Sequence, residues 1–256
     1  MGKIINIICH PSFIVLYFKD KIYKIILLAL SFYIVLVGIL ALYSYTDKYY
    51  NHEYVNDLTK LVANYKEELD LEYNDSKLSG SSYVISKDEV CLVFLKDVVA
   101  SQDYAIFLVF KEDMVVYYYE SVIRYELEYK SLGLSNFTFK DIQDNNYTSQ
   151  AKLSIIIDKT LELANPLAQT YSLLSNAVNL AFLYFMSILI AMMVSFFVNP
   201  AIEFKYRINI CIYDSIIFFV VMLFGLLFNI TWFKYIALFM PAIYSRFSFK
   251  SIVRIR

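Results

Sequence analysis

The sequence predicts a polytopic α-helical membrane protein of four spans, carrying an extracellular α+β domain built on an antiparallel sheet. Three observations predict it. Residues 171–247 are almost unbroken Leu, Ile, Phe, Val, Met and Tyr, with polar breaks at 199–209 and 229–230. Residues 25–45 form an earlier run without a charge. Between the two lies a polar stretch in which helical periodicity gives way to β-rich runs. A bilayer core about 30 Å thick takes roughly 20 apolar residues per helix. A soluble domain of ordinary size has no core able to bury three such runs in succession.

The composition agrees. Of the 256 residues 59% are hydrophobic, and mean hydropathy is +0.52. Only 18% are charged, against roughly 25% in soluble domains. Residues 46–170 hold 21 acidic and 12 basic side chains, a net −9, while the rest hold 3 and 11, a net +8. An acidic domain lacks the clustered Lys and Arg that phosphate contacts need, so nucleic acid is not an expected partner. Cys9, Cys91 and Cys211 are too few and too scattered for a disulfide staple or a metal site. Abundant Lys, Ile, Asn and Tyr with only five Arg suggest an AT-rich genome, as in a Gram-positive bacterium.

Residues 1–24 read as a cytoplasmic amphipathic segment. His10-Pro11-Ser12 precedes six apolar residues, too few to span, so an interfacial helix is expected there. Residues 25–45 are the first span. No small-x-small site follows it, so it is expected to remain as an anchor. Lys3, Lys19, Lys21 and Lys24 hold its start in the cytoplasm, and Tyr43, Tyr45, Tyr49 and Tyr50 suit the outer interface.

Residues 46–170 are the extracellular domain. Tyr54, Val55, Leu58, Leu61, Val62, Tyr65 and Leu69 predict one amphipathic helix over 47–73, broken at Leu78-Ser79-Gly80. Runs at 83–86, 89–95, 104–110, 114–120 and 122–129 predict four or five antiparallel strands, with turns such as Lys111-Glu112-Asp113 between them. Alternation over 122–128 predicts one wet face. Thr138 is placed to cap a short helix. Leu153, Ile156, Ile157, Leu161 and Ala164 share one face of a second helix, over 147–165, which Pro166 is expected to end or kink. At about 125 residues such a domain can bury its own core.

Residues 171–247 form a three-helix transmembrane block: spans at 171–198, 208–228 and 231–247. The last contains Lys234 and Pro241. Residues 248–256 are a basic cytoplasmic tail. The basic segments, at the N-terminus, around Lys205 and Arg207, and at the C-terminus, fall on one side if there are four spans.

Catalytic patterns are missing. Five glycines, at 2, 38, 80, 133 and 225, build no phosphate loop, dinucleotide fingerprint or nucleophile elbow. Two histidines, His10 and His52, build no metalloprotease motif, and Glu67-Glu68 read as a solvated helix face. No catalytic, cofactor-binding or metal-binding residue is expected. Tyr117, Tyr118, Tyr119, Tyr125 and Tyr129 fit a strand face better than a carbohydrate platform. The sequons at Asn74, Asn136, Asn146 and Asn229 matter only in a host that glycosylates.

The candidate site residues are intramembrane polar contacts. Asp214 lies six residues into the third span, and ionisable groups at such depth are costly. Lys205, Arg207, Lys24 and Arg246 are its candidate partners. Asn176 and Asn179 begin the second span and are candidates for interhelical hydrogen bonds.

The layout resembles the Gram-positive bacterial membrane family catalogued as domain of unknown function 1189, some members of which are labelled maltodextrin utilisation protein. His10-Pro11-Ser12 before Lys19–Lys24 carries the resemblance, with the strands around Lys111-Glu112-Asp113, Tyr125-Glu126-Leu127 with Thr138 to Ile142, and the start of the third span from Phe204 to Asp214. The carboxy-terminal spans are loosely similar to Yip1-type bundles. The resemblance implies one amino-terminal span, an extracellular domain and a terminal group of spans. The expected function is non-enzymatic: a multi-pass plasma-membrane protein with both termini cytoplasmic, whose outer domain senses, binds or docks a membrane or envelope protein. The alternative is a transporter or accessory subunit of one, carbohydrate-related by family label. Transporters gather polar residues at the bilayer midplane, and these midplanes read as apolar.

Overall fold

The computed structural model describes residues 8–17, 19–46, 52–87, 90–96, 104, 106–119 and 123–253. A 3-10 turn, Pro11–Tyr17, precedes helix α1, Ile22–Thr46, and helix α2, His52–Ala63. Strands follow: β1 Leu71–Asn74, β2 Lys77–Gly80, β3 Tyr83–Lys87, β4 Val90–Phe94, β5 Ile106–Phe110, β6 Met114–Tyr119 and β7 Ile123–Glu128. After β8, Phe137–Thr138, come α3, Phe139–Gln143, and α4, Tyr147–Val198. Three further helices close the chain: α5 Phe204–Asp214, α6 Ile216–Leu227 and α7 Phe233–Val253. Contacts divide it into a helical unit, Met1–Ser44 with Leu173–Arg256, and a sheet unit, Tyr45–Ser172. Lys3, Tyr49, Tyr50, Arg254, Arg256, the residues at 88–89 and 101–103 where turns were expected, and Glu120 and Val122, where strand ends were expected, lie outside the described residues.

The sheet unit holds a five-stranded sheet in the order β3-β4-β5-β6-β7. All five strands fall on the β-rich runs, and Lys111–Asp113 joins β5 to β6 as expected, with Lys111 N–H donating to Met114 O at 2.8 Å. The sheet is mixed, not antiparallel: β4 and β5 are parallel, Leu92 opposite Leu108 and Phe94 opposite Phe110. The reason is visible in β4. Val90-Cys91-Leu92-Val93-Phe94 does not alternate, and all five side chains are buried. Parallel pairing goes with strands covered on both faces and needs a crossover of about a dozen residues; residues 95–105 supply nearly that length. The outer strand β7 keeps the expected alternation, with Leu127 buried between exposed Glu126 and Glu128.

A second sheet, β2-β1-β8, replaces the end of the expected first helix. Helix α2 stops at Ala63. Beyond it Leu69, Leu71 and Tyr73 are buried at every second position, a period that overlaps the helical one at Tyr65 and Leu69. Asp75 and Ser76 have φ of 50° and 63° between paired Asn74 and Lys77, the two left-handed residues of a tight hairpin turn. The Gln143 side chain fixes the link from helix to strand. Its Nε2 donates to Tyr65 O at 3.1 Å and Glu67 O at 2.7 Å, and its Oε1 accepts from Leu69 N–H at 2.9 Å.

The larger core of this unit lies between sheet and helices. Val55, Leu58 and Val62 of α2, Leu92, Phe94, Leu108 and Phe110 of the sheet, and Leu153, Ile156, Ile157, Leu161 and Ala164 of α4 meet in it. The α4 residues are those whose spacing predicted the face. Phe94 stacks on Phe110 at 4.6 Å between centroids. Thr138 caps α3, its hydroxyl accepting from Asp141 N–H at 3.1 Å. Tyr117 of β6 is a core residue, as a strand face requires, whereas Tyr129, also buried, opens a 3-10 turn, Tyr129–Leu132, just past β7.

Among the described residues three helical stretches are long and apolar enough to cross a membrane: Ile22–Thr46, Tyr147–Val198 and Phe204–Leu227. The second is one helix of 52 residues that runs through Pro166, so proline does not end it. Pro166 removes one backbone bond. Buried Ala164 and Ala168 flank it, and the Thr170 hydroxyl donates to Pro166 O at 2.8 Å. Helix α7 covers the expected fourth span but carries Lys234, Arg246 and Lys250. It turns back on α6 tightly, since a Cβ on Gly225 would meet Phe233 Cβ at 2.8 Å. Tyr33 OH of α1 donates to Ala177 O of α4 at 2.9 Å.

Two predictions follow from the sheet unit. Gly80 has φ +130°, and a Cβ there would meet Asp70 O at 2.0 Å. Gly80→Ala should therefore destabilise this unit by more than about 3 kcal/mol. Gly133→Ala, left-handed but open around its Cα, should cost only about 1 kcal/mol. Limited proteolysis across a temperature series would rank them, and equal sensitivity would refute the clash. The second concerns Tyr129, whose hydroxyl donates to Lys111 O at 3.1 Å. Burial pushes this phenol well above its ordinary range. The folded state thus retains the proton more tightly than the unfolded chain does. The associated stability is whole below about pH 10 and is lost as pH rises through the folded value. Tyr129→Phe should flatten the alkaline fall in melting temperature.

Candidate functional site

The polar side chains of the helical unit converge on one face of α5. Arg207, Cys211 and Asp214 recur at i, i+4 and i+7, one stripe of a helix, and all three are fully buried. Asp214 meets two hydroxyls of α7. Ser245 Oγ donates to Oδ2 at 2.8 Å, and Ser248 Oγ lies 2.7 Å from Oδ1. Ser248 Oγ is also 2.9 Å from Pro11 O, so the node ties the N-terminal turn to α5 and α7. Ser245 Oγ stands 4.0 Å from Cys211 Sγ. Below Asp214 the helix is interrupted at Ser215, whose hydroxyl is 2.8 Å from Tyr184 OH of α4.

The expected cation beside Asp214 is not its partner: the carboxyl is held by Ser245 and Ser248. Arg207 points the other way because helical side chains lean toward the N-terminus of their helix. Its guanidinium donates to Ser195 Oγ at 2.9 Å, to Asn199 O at 2.8 Å and to Ile202 O at 3.1 Å. Asn199 and Ile202 follow the C-terminus of α4, where unpaired carbonyls and the negative end of the helix dipole favour a cation. Phe196 and Phe249 cover the guanidinium at 4.0 and 5.5 Å from their ring centroids, a cation–π arrangement. Lys24, Lys205 and Arg246 are exposed.

A second set of bonds anchors the segment before α1. Tyr213 OH donates to the Asp20 carboxylate, and Asn209 Nδ2 donates to Asp20 O at 3.0 Å. Tyr244 OH donates to Ile8 O at 2.7 Å. Ile14 of the 3-10 turn is fully buried with Ile210, Cys211 and Phe249. The sequence led to an interfacial α-helix here. Seven residues in 3-10 form, packed on α5 and α7, are what the structure has.

Asn176 and Asn179 lie on an exposed face of α4. The residues that sequence reasoning missed are Ser195, Ser245, Ser248, Tyr213 and Asp20. Ser245 and Ser248 offered one clue, their i, i+3 spacing on one helix. Asp20 sits between Lys19 and Lys21 and reads as an ordinary flanking charge.

The sheet unit carries an open groove of about 420 Å3 lined by Glu68, Asp70, Glu72, Thr138 and Lys140. The Lys140 ammonium, bonded to Glu68, holds that exposed carboxyl below its usual range. Among the described residues no group of three or more His, Cys, Asp or Glu could hold a metal ion. Comparison with protein-family models, with curated proteins and with solved structures finds no match to this chain. The family resemblance therefore rests on its motifs alone.

The node can be tested by substitution. One hydroxyl proton on Ser248 cannot serve both Asp214 Oδ1 and Pro11 O. An Asn amide at 214 could donate to Ser248 Oγ and leave the hydroxyl proton for Pro11 O. Asp214→Asn should hold stability within about 1 kcal/mol. Asp214→Leu should lose about 1–2 kcal/mol, and Arg207→Ala, which removes the partner of the buried Ser195 hydroxyl and of two part-buried carbonyls, about 3 kcal/mol. Thermal unfolding of the purified protein in detergent gives the order; Asn falling below Leu would contradict it.

Proposed function

We propose that the chain is a non-enzymatic bacterial plasma-membrane protein that crosses the bilayer four times, with both termini cytoplasmic. Its sheet unit stands outside the cell and binds a ligand or docks a membrane or envelope protein. The observation that carries this reading is the clustering of Lys19, Lys21 and Lys24 before α1 and of Lys205 and Arg207 after α4, short segments whose Lys and Arg set orientation. Residues 46–170 hold a net −9 and the remainder a net +8, and each set has its own body. Parity supports the fourth crossing. With α1, α4 and the α5–α6 pair as the only spans, the basic tail would face outward, against the positive-inside preference. Helix α7 crossing as well returns it to the side of Lys19, Lys21 and Lys205.

A second reading has one observation in its favour. Asp214 lies beside the joint of α5 and α6 at Ser215, and broken helices with a buried ionisable group are features of transporters. A transporter, or an accessory subunit of one, is that second reading. Closure of the carboxyl onto Ser245 and Ser248 favours the first, in which the node clamps helices together.

Topology tests the proposal. In a Cys9→Ser background, Asn74→Cys and Ser82→Cys should react with a membrane-impermeant maleimide on intact cells. Ala201→Cys, exposed beyond α4, should react only after permeabilisation. Reaction at Ala201 from outside would overturn the orientation.

A further inference from the structure

Lys19 and Lys21 flank Asp20, and Asp20 is fixed to α5 by Tyr213 and Asn209. Lys205, Asn209 and Tyr213 recur at i, i+4 and i+8, so Lys205 occupies the same face of α5, about 6 Å along the axis from Asn209. The anchoring thus brings three lysines from distant parts of the chain to one edge of the helical unit. All three are exposed. Three acidic residues lie in this region among the described residues. Asp20 is engaged by the Tyr213 hydroxyl, Asp214 is buried between serines, and Glu203 remains exposed.

Large apolar side chains stand exposed beside these cations. Leu16 is 67% exposed and Phe204 59%. Water alone rewards the lysines and penalises the other two. The boundary between headgroups and acyl chains suits both. We infer that this edge binds an anionic phospholipid, its phosphate among Lys19, Lys21 and Lys205 and its acyl chains along Leu16 and Phe204. The inference rests on the membrane reading proposed above. A positive-inside bias by itself would scatter lysines along the segment ends; it would not require Asp20 to be locked to α5 between two of them.

The test uses the full-length protein extracted in mild detergent and exposed to phosphatidylglycerol or phosphatidylcholine. Native mass spectrometry reads the lipid retained. Phosphatidylglycerol should be retained in preference, and each lysine removed by alanine should weaken retention about fivefold. The triple variant K19R/K21R/K205R should keep the preference. The triple K66A/K87A/K130A, on exposed positions of the sheet unit, should leave it unchanged. Equal retention of the two lipids would overturn the inference, as would an undiminished preference in K19A/K21A/K205A or an equal loss in the sheet-unit triple. Alkaline carbonate extraction separates the two levels. Protein released from membranes sinks the membrane reading itself, whereas protein that stays but shows no lipid preference sinks only the lipid site.

Discussion

The helical unit depends on a buried cation that, among the described residues, has no carboxylate beside it. Arg207 is fully enclosed, and isolated burial of a guanidinium would be prohibitive. It is stabilised by carbonyls that follow α4, by Ser195, and by the faces of Phe196 and Phe249. The last turn of α4 leads into these carbonyls, and the negative end of its dipole favours the same cation. Once Arg207 is fixed there, the stripe it shares with Cys211 and Asp214 must face α7. The serines of α7 and the carbonyl of Pro11 then follow.

The sheet unit solves a different problem. Its central strands have two apolar faces. One, through Leu92, Phe94, Leu108 and Phe110, packs on the helices. The other, through Cys91, Val93, Phe107, Val109 and Val116, is also buried. Burial on both sides permits a parallel pair in a sheet otherwise built of hairpins. Exposed charges on β7, where Arg124 pairs with Glu126, discourage a further strand from adding at that edge.

What the sequence made legible was whatever depends on local pattern. The strands appeared as β-branched and aromatic runs, and the buried face of α4 as the spacing of Leu153, Ile156, Ile157, Leu161 and Ala164. Thr138 was legible because a cap needs only its own helix. Pairing was not. Whether β4 meets β5 in parallel depends on the path of a connection, and Leu69-Asp70-Leu71-Glu72-Tyr73 fits helix or strand until its partner strand is known. Asp214 was conspicuous by its charge, yet its partners were not, because serines carry no mark of burial. Of the two outcomes expected at Pro166, an end or a kink, the end does not occur: a 52-residue helix keeps many backbone bonds against the one that proline removes.

Depth joins these points. Under the proposed four-span topology, α7 must cross with Lys234 near its start and Arg246 well inside its second half. Lys234 is the second residue of the helix, and the lean of helical side chains carries it toward that end. Arg246 is seven residues before Val253, about 10 Å by helical rise, and can reach the cytoplasmic surface only if that surface lies near its own turn. Ser245 and Ser248 flank Arg246 and bind Asp214, and Ser248 touches Pro11 of the N-terminal turn. Arg246, Asp214 and that turn therefore share one level. If Arg246 is at headgroup depth, Asp214 is too. The buried carboxyl then belongs to the inner boundary of the bilayer and leaves the midplane apolar, which is the arrangement a clamp between helices needs and an ion path lacks.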